Sequence, residues 1–155
     1  MRGYFLAGVL TILCACGSTP PKEKPAAPAP TVHAKPADES RRFPIAGQIS
    51  MRLVNDHVLD KDFLPGGNVA EYRQKGRTYQ QFLVHSTSPE AAALLLFEYK
   101  SHLRDAKFLA HMGGYCGMDG DKPAYLFQKG PFLAGFVGLP EKEADLLARQ
   151  FAARL

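Results

Sequence analysis

Residues 111–118 hold the densest set of soft ligand side chains in this 155-residue sequence. The set combines imidazole, thioether and thiol groups, which suits Cu(I), and it consists of His111, Met112, Cys116 and Met118. In a strand, however, Cys116 and Met118 share one face, which is also what core packing requires. We therefore predict core residues here and no metal site, and keep a copper-handling protein with these four ligands as the alternative.

Catalytic signatures are absent from the rest of the sequence. It contains no Gly-x-Ser-x-Gly elbow, Walker loop, dinucleotide fingerprint or His-Glu-x-x-His. The five histidines are scattered without metal-ligand spacing; they are His33, His57, His85, His102 and His111. Asp60 and Asp62 are typical of a solvated turn, and Asp119-Gly120-Asp121 of a hairpin tip. We predict no catalytic residues and no cofactor, and keep an enzyme with a dispersed active site as a remote alternative.

Composition and charge exclude several classes of protein. Apolar residues make up 46% of the chain and charged residues 22%, which excludes collagen-like, coiled-coil and fully disordered proteins. Residues 1–42 carry six Lys or Arg and three Asp or Glu, whereas residues 43–155 carry thirteen and twelve. The part expected to fold is therefore nearly neutral, and the sequence predicts no nucleic-acid partner.

The chain begins with a positive residue, Arg2, followed by an uncharged apolar run over residues 3–13. Eleven residues rise only about 16 Å as a helix, whereas the hydrocarbon core of a bilayer is about 30 Å thick. The run is therefore too short to span a membrane and is typical of a secretory signal peptide. It ends at Leu13-Cys14-Ala15-Cys16, which resembles the lipobox of bacterial lipoproteins.

That resemblance implies a signal peptide over residues 1–15 and lipidation of Cys16, the new N-terminus. Cys14 departs from the Ala, Ser or Thr usual at its position but is similarly small. Gly17, in place of the Asp associated with inner-membrane retention, implies the periplasmic face of the outer membrane in a bacterium that has one. Cys116 would then be the one remaining thiol, so no disulfide framework would support the fold.

Residues 16–42 predict a lipidated, disordered tether. Residues 17–42 contain six of the twelve prolines, with Ala, Lys and Ser between them and no apolar periodicity. Fully extended at about 3.1 Å per residue, this tether reaches about 80 Å from the membrane.

Residues 43–155 predict a single α+β domain, starting with three strands. Residues 48–53 alternate polar and apolar side chains, with Ile49, Met51 and Leu53 on one half-buried face. Residues 63–67 predict an apolar anchor followed by a turn. Residues 69–74 and 78–86 predict a hairpin around Lys75-Gly76-Arg77.

Four further strands and two helices complete the predicted domain. Turn residues separate four strand segments, which are residues 107–112, 115–118, 124–129 and 132–138. A helix from Pro89 to about Arg104 follows the N-cap Ser88, and its predicted buried stripe is Ala92, Leu95, Leu96, Tyr99 and Leu103, widened by Leu94 and Phe97. A second helix over residues 140–155 buries Ala144, Leu147, Ala148, Phe151 and Leu155. We predict that both helices pack on one face of an antiparallel sheet.

Residues 79–155 resemble a family of bacterial extracytoplasmic proteins whose activity is uncharacterised. The resemblance rests on four segments: the helix start at residues 88–91, the glycine pair at 113–115, Lys-Gly-Pro-Phe at 129–132, and the closing helix at 140–155. The β-α-β-β-β-α order also resembles half of the TATA-binding-protein-like fold. Both resemblances imply a fold and no activity.

Together these observations predict a non-catalytic lipoprotein of the cell envelope. Its partners would be the membrane, through the lipid anchor, and a protein, glycan or small ligand bound by the α+β domain. The sequence identifies no residue for that binding.

Overall fold

The computed structural model describes residues 35–155, and seven antiparallel strands and two helices make up most of them. In chain order these are β1 (Gln48–Asp56), β2 (Pro65–Gln74), β3 (Arg77–His85), α1 (Pro89–Ser101), β4 (Arg104–Leu109), β5 (Gly114–Asp119), β6 (Lys122–Lys129), β7 (Phe132–Val137) and α2 (Glu141–Ala152). The strands form one sheet in the order β1-β2-β3-β7-β6-β5-β4. The predicted α+β class, with an antiparallel sheet and two helices, is confirmed.

The two helices, however, pack on opposite faces of the sheet, so the prediction that they share one face is wrong. Along β7, Phe132 and Phe136 belong to the core beneath α2, whereas Leu133 and Val137 belong to the core beneath α1. Because side chains alternate across a strand, these are the two faces of one sheet. The reason lies in the central strands: every residue of β7 is buried, as expected for a strand covered on both sides.

α1 buries one stripe, Ala92, Leu96 and Tyr99 with Leu95 partly covered, as predicted. Leu103 is also buried but lies beyond the helix, so the predicted end near Arg104 is too late. Leu94 and Phe97 do not widen this stripe, because they are 71% and 61% exposed. The Ser88 hydroxyl caps the helix by accepting a hydrogen bond from the Ala91 N–H at 3.1 Å, as predicted. The helix ends at Ser101 because Arg104 is already paired with Met118 in the sheet.

The hairpin of β2 and β3 turns at Lys75 and Gly76, as predicted, and both residues have positive φ. β2 begins earlier than predicted, at Pro65, because Gly66 and Gly67 are strand residues. A Cβ on Gly66 would lie 2.2 Å from the Asn55 carbonyl oxygen of the neighbouring strand. These glycines are therefore needed for a close approach between strands, and the predicted turn at residues 65–67 is wrong.

After β3 and α1 come four strands in succession, so this half of the domain has one strand more than the β-α-β-β-β-α order. β4 and β1 form the two edges of the sheet. On β1, Met51 packs against the core beneath α2, whereas Ile49 is 48% exposed and lies off the predicted buried face.

Residues ahead of Phe43 already pack against the domain, so the predicted boundary at Phe43 is too late. The buried Asn68 amide donates to Asp38 Oδ1 at 3.0 Å and accepts from the Glu39 N–H at 2.9 Å. The Arg42 guanidinium lies 4.8 Å above the ring of Phe132. The packed domain therefore includes Asp38.

Candidate functional site

A groove runs beside α2, where the helix leaves part of its sheet face uncovered. α2 packs across β6 and β7, and the segment before β1 covers some of the remaining face. Between them lies a cavity with an inner part of about 40 Å³ and an outer part of about 340 Å³. Pro44, Tyr79, Leu147 and Gln150 line both parts, so we treat them as one α2 groove.

Gln81 of β3 lines the inner part of this groove. It lies between Tyr79 and Leu83 on the same face of the strand and is only 1% exposed. Its amide nitrogen Nε2 is buried and has no hydrogen-bond partner among residues 35–155. An unpaired buried polar group costs about 1–3 kcal/mol. The groove therefore contains a donor whose partner the described chain does not supply.

Asn68 provides the comparison, because it and Gln81 are the two buried polar residues of the described chain. Both ends of the Asn68 amide are bonded to residues ahead of β1. Residues 35–155 thus satisfy the Asn68 amide and leave Gln81 Nε2 without a partner, in a residue that lines the groove. A buried donor left unpaired in a folded domain calls for an explanation, and a binding role is one.

Aromatic packing holds one wall of the groove in place. The rings of Tyr72 and Tyr79 stack with centroids 5.3 Å apart and planes 15° from parallel. The Tyr72 hydroxyl donates to the Pro44 carbonyl at 2.7 Å. Burial raises the pKa of both tyrosines above the ordinary value of 10.0, so both phenols are neutral at physiological pH.

Among residues 35–155, the charged residues that line the groove are all basic. Arg73 lines the outer part and Arg154 the inner part, and no Asp or Glu lines either. The Arg154 charge also acts on Tyr72, where it partly offsets the rise that burial causes in the phenol pKa. The backbone carbonyl of Arg154 accepts from Arg42 Nη1 at 2.6 Å, which ties this end of the chain to the segment before β1.

A polar network around Asp145 positions the other wall, α2. Asp145 Oδ1 accepts from the Tyr125 hydroxyl at 2.6 Å and lies 2.5 Å from His111 Nε2, and its Oδ2 accepts from Arg149 Nε at 3.0 Å. At the start of α2, Lys107 Nζ donates to Glu141 Oε1 at 2.9 Å. These bonds fix the helix that carries Leu147 and Gln150 relative to the sheet.

This network predicts a specific sensitivity to acid. The hydrogen bonds from Tyr125 and then His111 hold the Asp145 pKa below its ordinary value of 3.8. Because the folded-state pKa is the lower one, the stabilisation is fully present above the unfolded-state pKa and is lost as the pH falls through the folded-state pKa. We expect the melting temperature to fall more steeply from about pH 5 to about pH 2.5 in the wild type than in Asp145→Asn. Asp62→Asn, at an exposed acid, should retain the wild-type slope, and equal slopes in all three proteins would contradict this role for Asp145.

The structure distributes the four residues predicted as alternative copper ligands among different environments, and Met118 is partly buried on β5. His111 is exposed with Nε2 engaged by Asp145, Met112 packs partly against the core beneath α2, and Cys116 is buried in that core. Burial and then the Glu141 carboxylate raise the pKa of the Cys116 thiol, which disfavours the thiolate that binds metal or reacts. Within residues 35–155, no three His, Cys, Asp or Glu side chains are grouped as a metal site. This placement fits the core-packing interpretation.

The aspartates considered in the sequence have structural contacts or face solvent. Asp119 Oδ1 accepts from Lys61 Nζ and its Oδ2 from the Tyr99 hydroxyl, each at 2.7 Å. Burial and the bond to Asp119 raise the pKa of Tyr99. Asp60 and Asp62 are exposed in the loop between β1 and β2. The bonds of Asp119 to Lys61 and Tyr99 therefore hold the loop between β1 and β2 against α1.

A second groove, of about 480 Å³, lies at the start of α1 beside Leu94 and Ser86. The Ser86 hydroxyl oxygen is also buried and unpartnered, but Ser86 itself is partly exposed. Residues 35–37 form part of its lining, so the chain leading into the domain already occupies one side. The α2 groove, with its deeply buried Gln81, is the better-defined candidate.

A sequence signal for Gln81 existed. Tyr79 and Leu83 are core residues two positions to either side of it on β3, so the period of a strand places Gln81 on the buried face. Glutamine is mostly exposed in folded proteins, so a glutamine on a buried strand face can be recognised from the sequence as unusual.

Comparison with known proteins supplies no relative: no family model, no curated protein and no solved structure matches this chain. The resemblances noted for the lipobox and for residues 79–155 stay predictions. Cys16 and His33 lie outside the described residues. Among residues 35–155, no helix has the length and apolar character needed to cross a membrane.

Proposed function

We propose that this protein is a lipid-anchored, non-catalytic binding domain of the bacterial cell envelope, and that its ligand occupies the α2 groove. The observation that carries the proposal is the buried Gln81 amide, whose Nε2 has no partner among residues 35–155 and whose residue lines the groove. A cost of about 1–3 kcal/mol persists in a folded domain when another requirement, such as ligand binding, maintains it.

The tether suits this role. Residues 17–37, rich in proline and alanine, separate the predicted lipid site at Cys16 from the packed domain. A domain held on such a linker stays near the membrane while its groove can meet a protein, glycan or small molecule.

The anchor is tested at the two leader cysteines. Cys16→Ser should move the protein from the membrane to the soluble fraction and abolish fatty-acid labelling, because each buried acyl CH₂ contributes about 0.8 kcal/mol. Cys14→Ser should stay lipidated and membrane-bound. Labelling lost in Cys14→Ser and retained in Cys16→Ser would show that the wrong cysteine has been assigned.

The binding role of Gln81 is tested by replacing each buried amide with an apolar side chain of similar size. Gln81→Met removes an unpaired donor, so we expect the free energy of unfolding to stay the same or rise by about 1 kcal/mol. Asn68→Leu removes a bonded amide and leaves its partners unpaired, so we expect a loss of about 1–3 kcal/mol. Urea unfolding of both variants gives the comparison. A loss in Gln81→Met as large as that in Asn68→Leu would mean that Gln81 serves the fold.

A further inference from the structure

We infer that the ligand of the α2 groove carries a carboxylate, which Gln81 and Arg154 bind in the inner part. This inference rests on the proposed function and specifies the chemistry of its ligand. It follows from the donors, the charges and the volume of the groove.

The donors come first. The Gln81 Nε2 group is buried, has no partner among residues 35–155, and as an amide nitrogen can only donate. Arg154, which lines the same inner part, carries a guanidinium that has donors and no acceptor. A ligand group that satisfies both must therefore offer acceptor oxygens.

The charges select an anion over a neutral acceptor. Arg73 and Arg154 line the groove, and no acidic residue lines it to balance them. A carboxylate has two oxygens in one plane, a shape that matches the fork of a guanidinium. Charge-assisted hydrogen bonds of this kind are about twice as strong as neutral ones.

The volume limits the size of the anionic group and gives the rest of the ligand a place. The inner part, at about 40 Å³, has room for a group of a few heavy atoms, since one water molecule needs about 10–15 Å³ in the same measure. The outer part, at about 340 Å³, is within the range of roughly 300–1,000 Å³ seen for small-molecule sites. Tyr79 and Leu147 flank both parts, so an apolar stem would extend outward from the carboxylate between them.

Two sources offer this chemistry, a free organic acid and the C-terminus of a polypeptide. Calorimetric titration of the full chain, kept unlipidated by Cys16→Ser, separates them with two matched pairs of probes. The first pair is hexanoate and hexanamide, and the second is N-acetyl-Ala-Leu with a free and with an amidated C-terminus. We expect the acid of at least one pair to bind about tenfold or more tightly than its amide. The pair that binds identifies the source.

Variants test the assigned residues. Arg154→Met should remove the preference for acid over amide, and Arg154→Lys should restore much of it because the charge returns. Lys142→Met removes an exposed positive charge on α2 outside the groove and should leave the preference unchanged. Gln81→Met should weaken the binding of acid and amide alike.

The outcomes are distinct. Equal affinity for acid and amide, with both weakened by Gln81→Met, would overturn the carboxylate while leaving the groove as the binding site. No binding of any probe, or an equal effect of Lys142→Met and Arg154→Met, would also overturn the carboxylate assignment. The proposed function fails separately, if Gln81→Met loses as much stability as Asn68→Leu.

Discussion

Replacing Phe151 with alanine should destabilise the domain by about 3–5 kcal/mol, a large part of the roughly 5–15 kcal/mol typical of a folded domain. Phe151 is the largest residue of the α2 stripe and is only 2% exposed. Its ring lies 5.2 Å from that of Phe43 and 6.4 Å from that of Phe136, so it joins the segment before β1 to β7. Truncation would leave a cavity among all three elements.

Lys142→Ala is the matched control, since it alters an exposed residue of the same helix and should cost less than about 0.5 kcal/mol. Thermal and urea unfolding of both variants give the comparison. Small and equal losses would mean that α2 is peripheral to the core, which would also remove one wall of the groove.

Gly114→Ala should be at least as damaging, with a loss of more than about 3 kcal/mol or failure to fold. Gly114 is the first residue of β5, paired with Leu109 and Phe127. A Cβ there would lie 2.0 Å from the Leu126 carbonyl oxygen and 2.9 Å from the Phe127 Cα. Both are backbone atoms, so β5 and β6 would have to separate to admit a methyl group.

Its neighbour Gly113 isolates this steric effect. Gly113 has a φ of +60°, but a Cβ would meet no atom within 4 Å. Gly113→Ala should therefore cost only the backbone strain of a left-handed residue, about 1–2 kcal/mol. Similar unfolding free energies for the two variants would contradict the close approach of β5 and β6.

Gly113 and Gly114 show a limit of prediction from local sequence. As neighbours in one Gly-Gly pair they are both typical of a turn, and local pattern assigns them the same role. Only the pairing of β5 with β6, a contact between distant residues, gives them different environments. The turn predicted at Gly66 and Gly67 is wrong for the same reason, because their close contacts are with strands distant in the sequence.

The helices show the same limit in another form. In α2, apolar residues recur at helical spacing and most other positions are polar. Its buried face could therefore be predicted, including Phe151 and its partly covered neighbours Leu147 and Leu155. In α1, residues 94–97 are all apolar, and periodicity cannot decide which of them face the sheet. The sheet then covers Leu96 and leaves Leu94 and Phe97 exposed.

The candidate site was the hardest part to predict, because its residues come from distant segments. Pro44, Gln81, Leu147 and Arg154 meet only after the sheet has formed and α2 has packed on it. None belongs to a motif, and only Gln81 is unusual by itself, because it is a polar residue on a buried strand face. Residues 111–118, which carry the soft ligand side chains, serve packing instead: Met112 and Cys116 contact the core beneath α2, and His111 is hydrogen-bonded to Asp145 of α2.

The most direct test of the account is to observe the Gln81 side-chain amide by ¹⁵N NMR in the full Cys16→Ser chain while hexanoate or hexanamide is added. We predict the largest chemical-shift changes at the Gln81 side-chain amide and at the backbone amides of Tyr79 and Leu147, which line the groove. The Gln81→Met variant should lose the response at Tyr79 and Leu147. An unmoved Gln81 amide, with the largest shifts at Leu94 and Phe97 on α1 or within residues 111–118, would contradict the α2 groove as the site of binding.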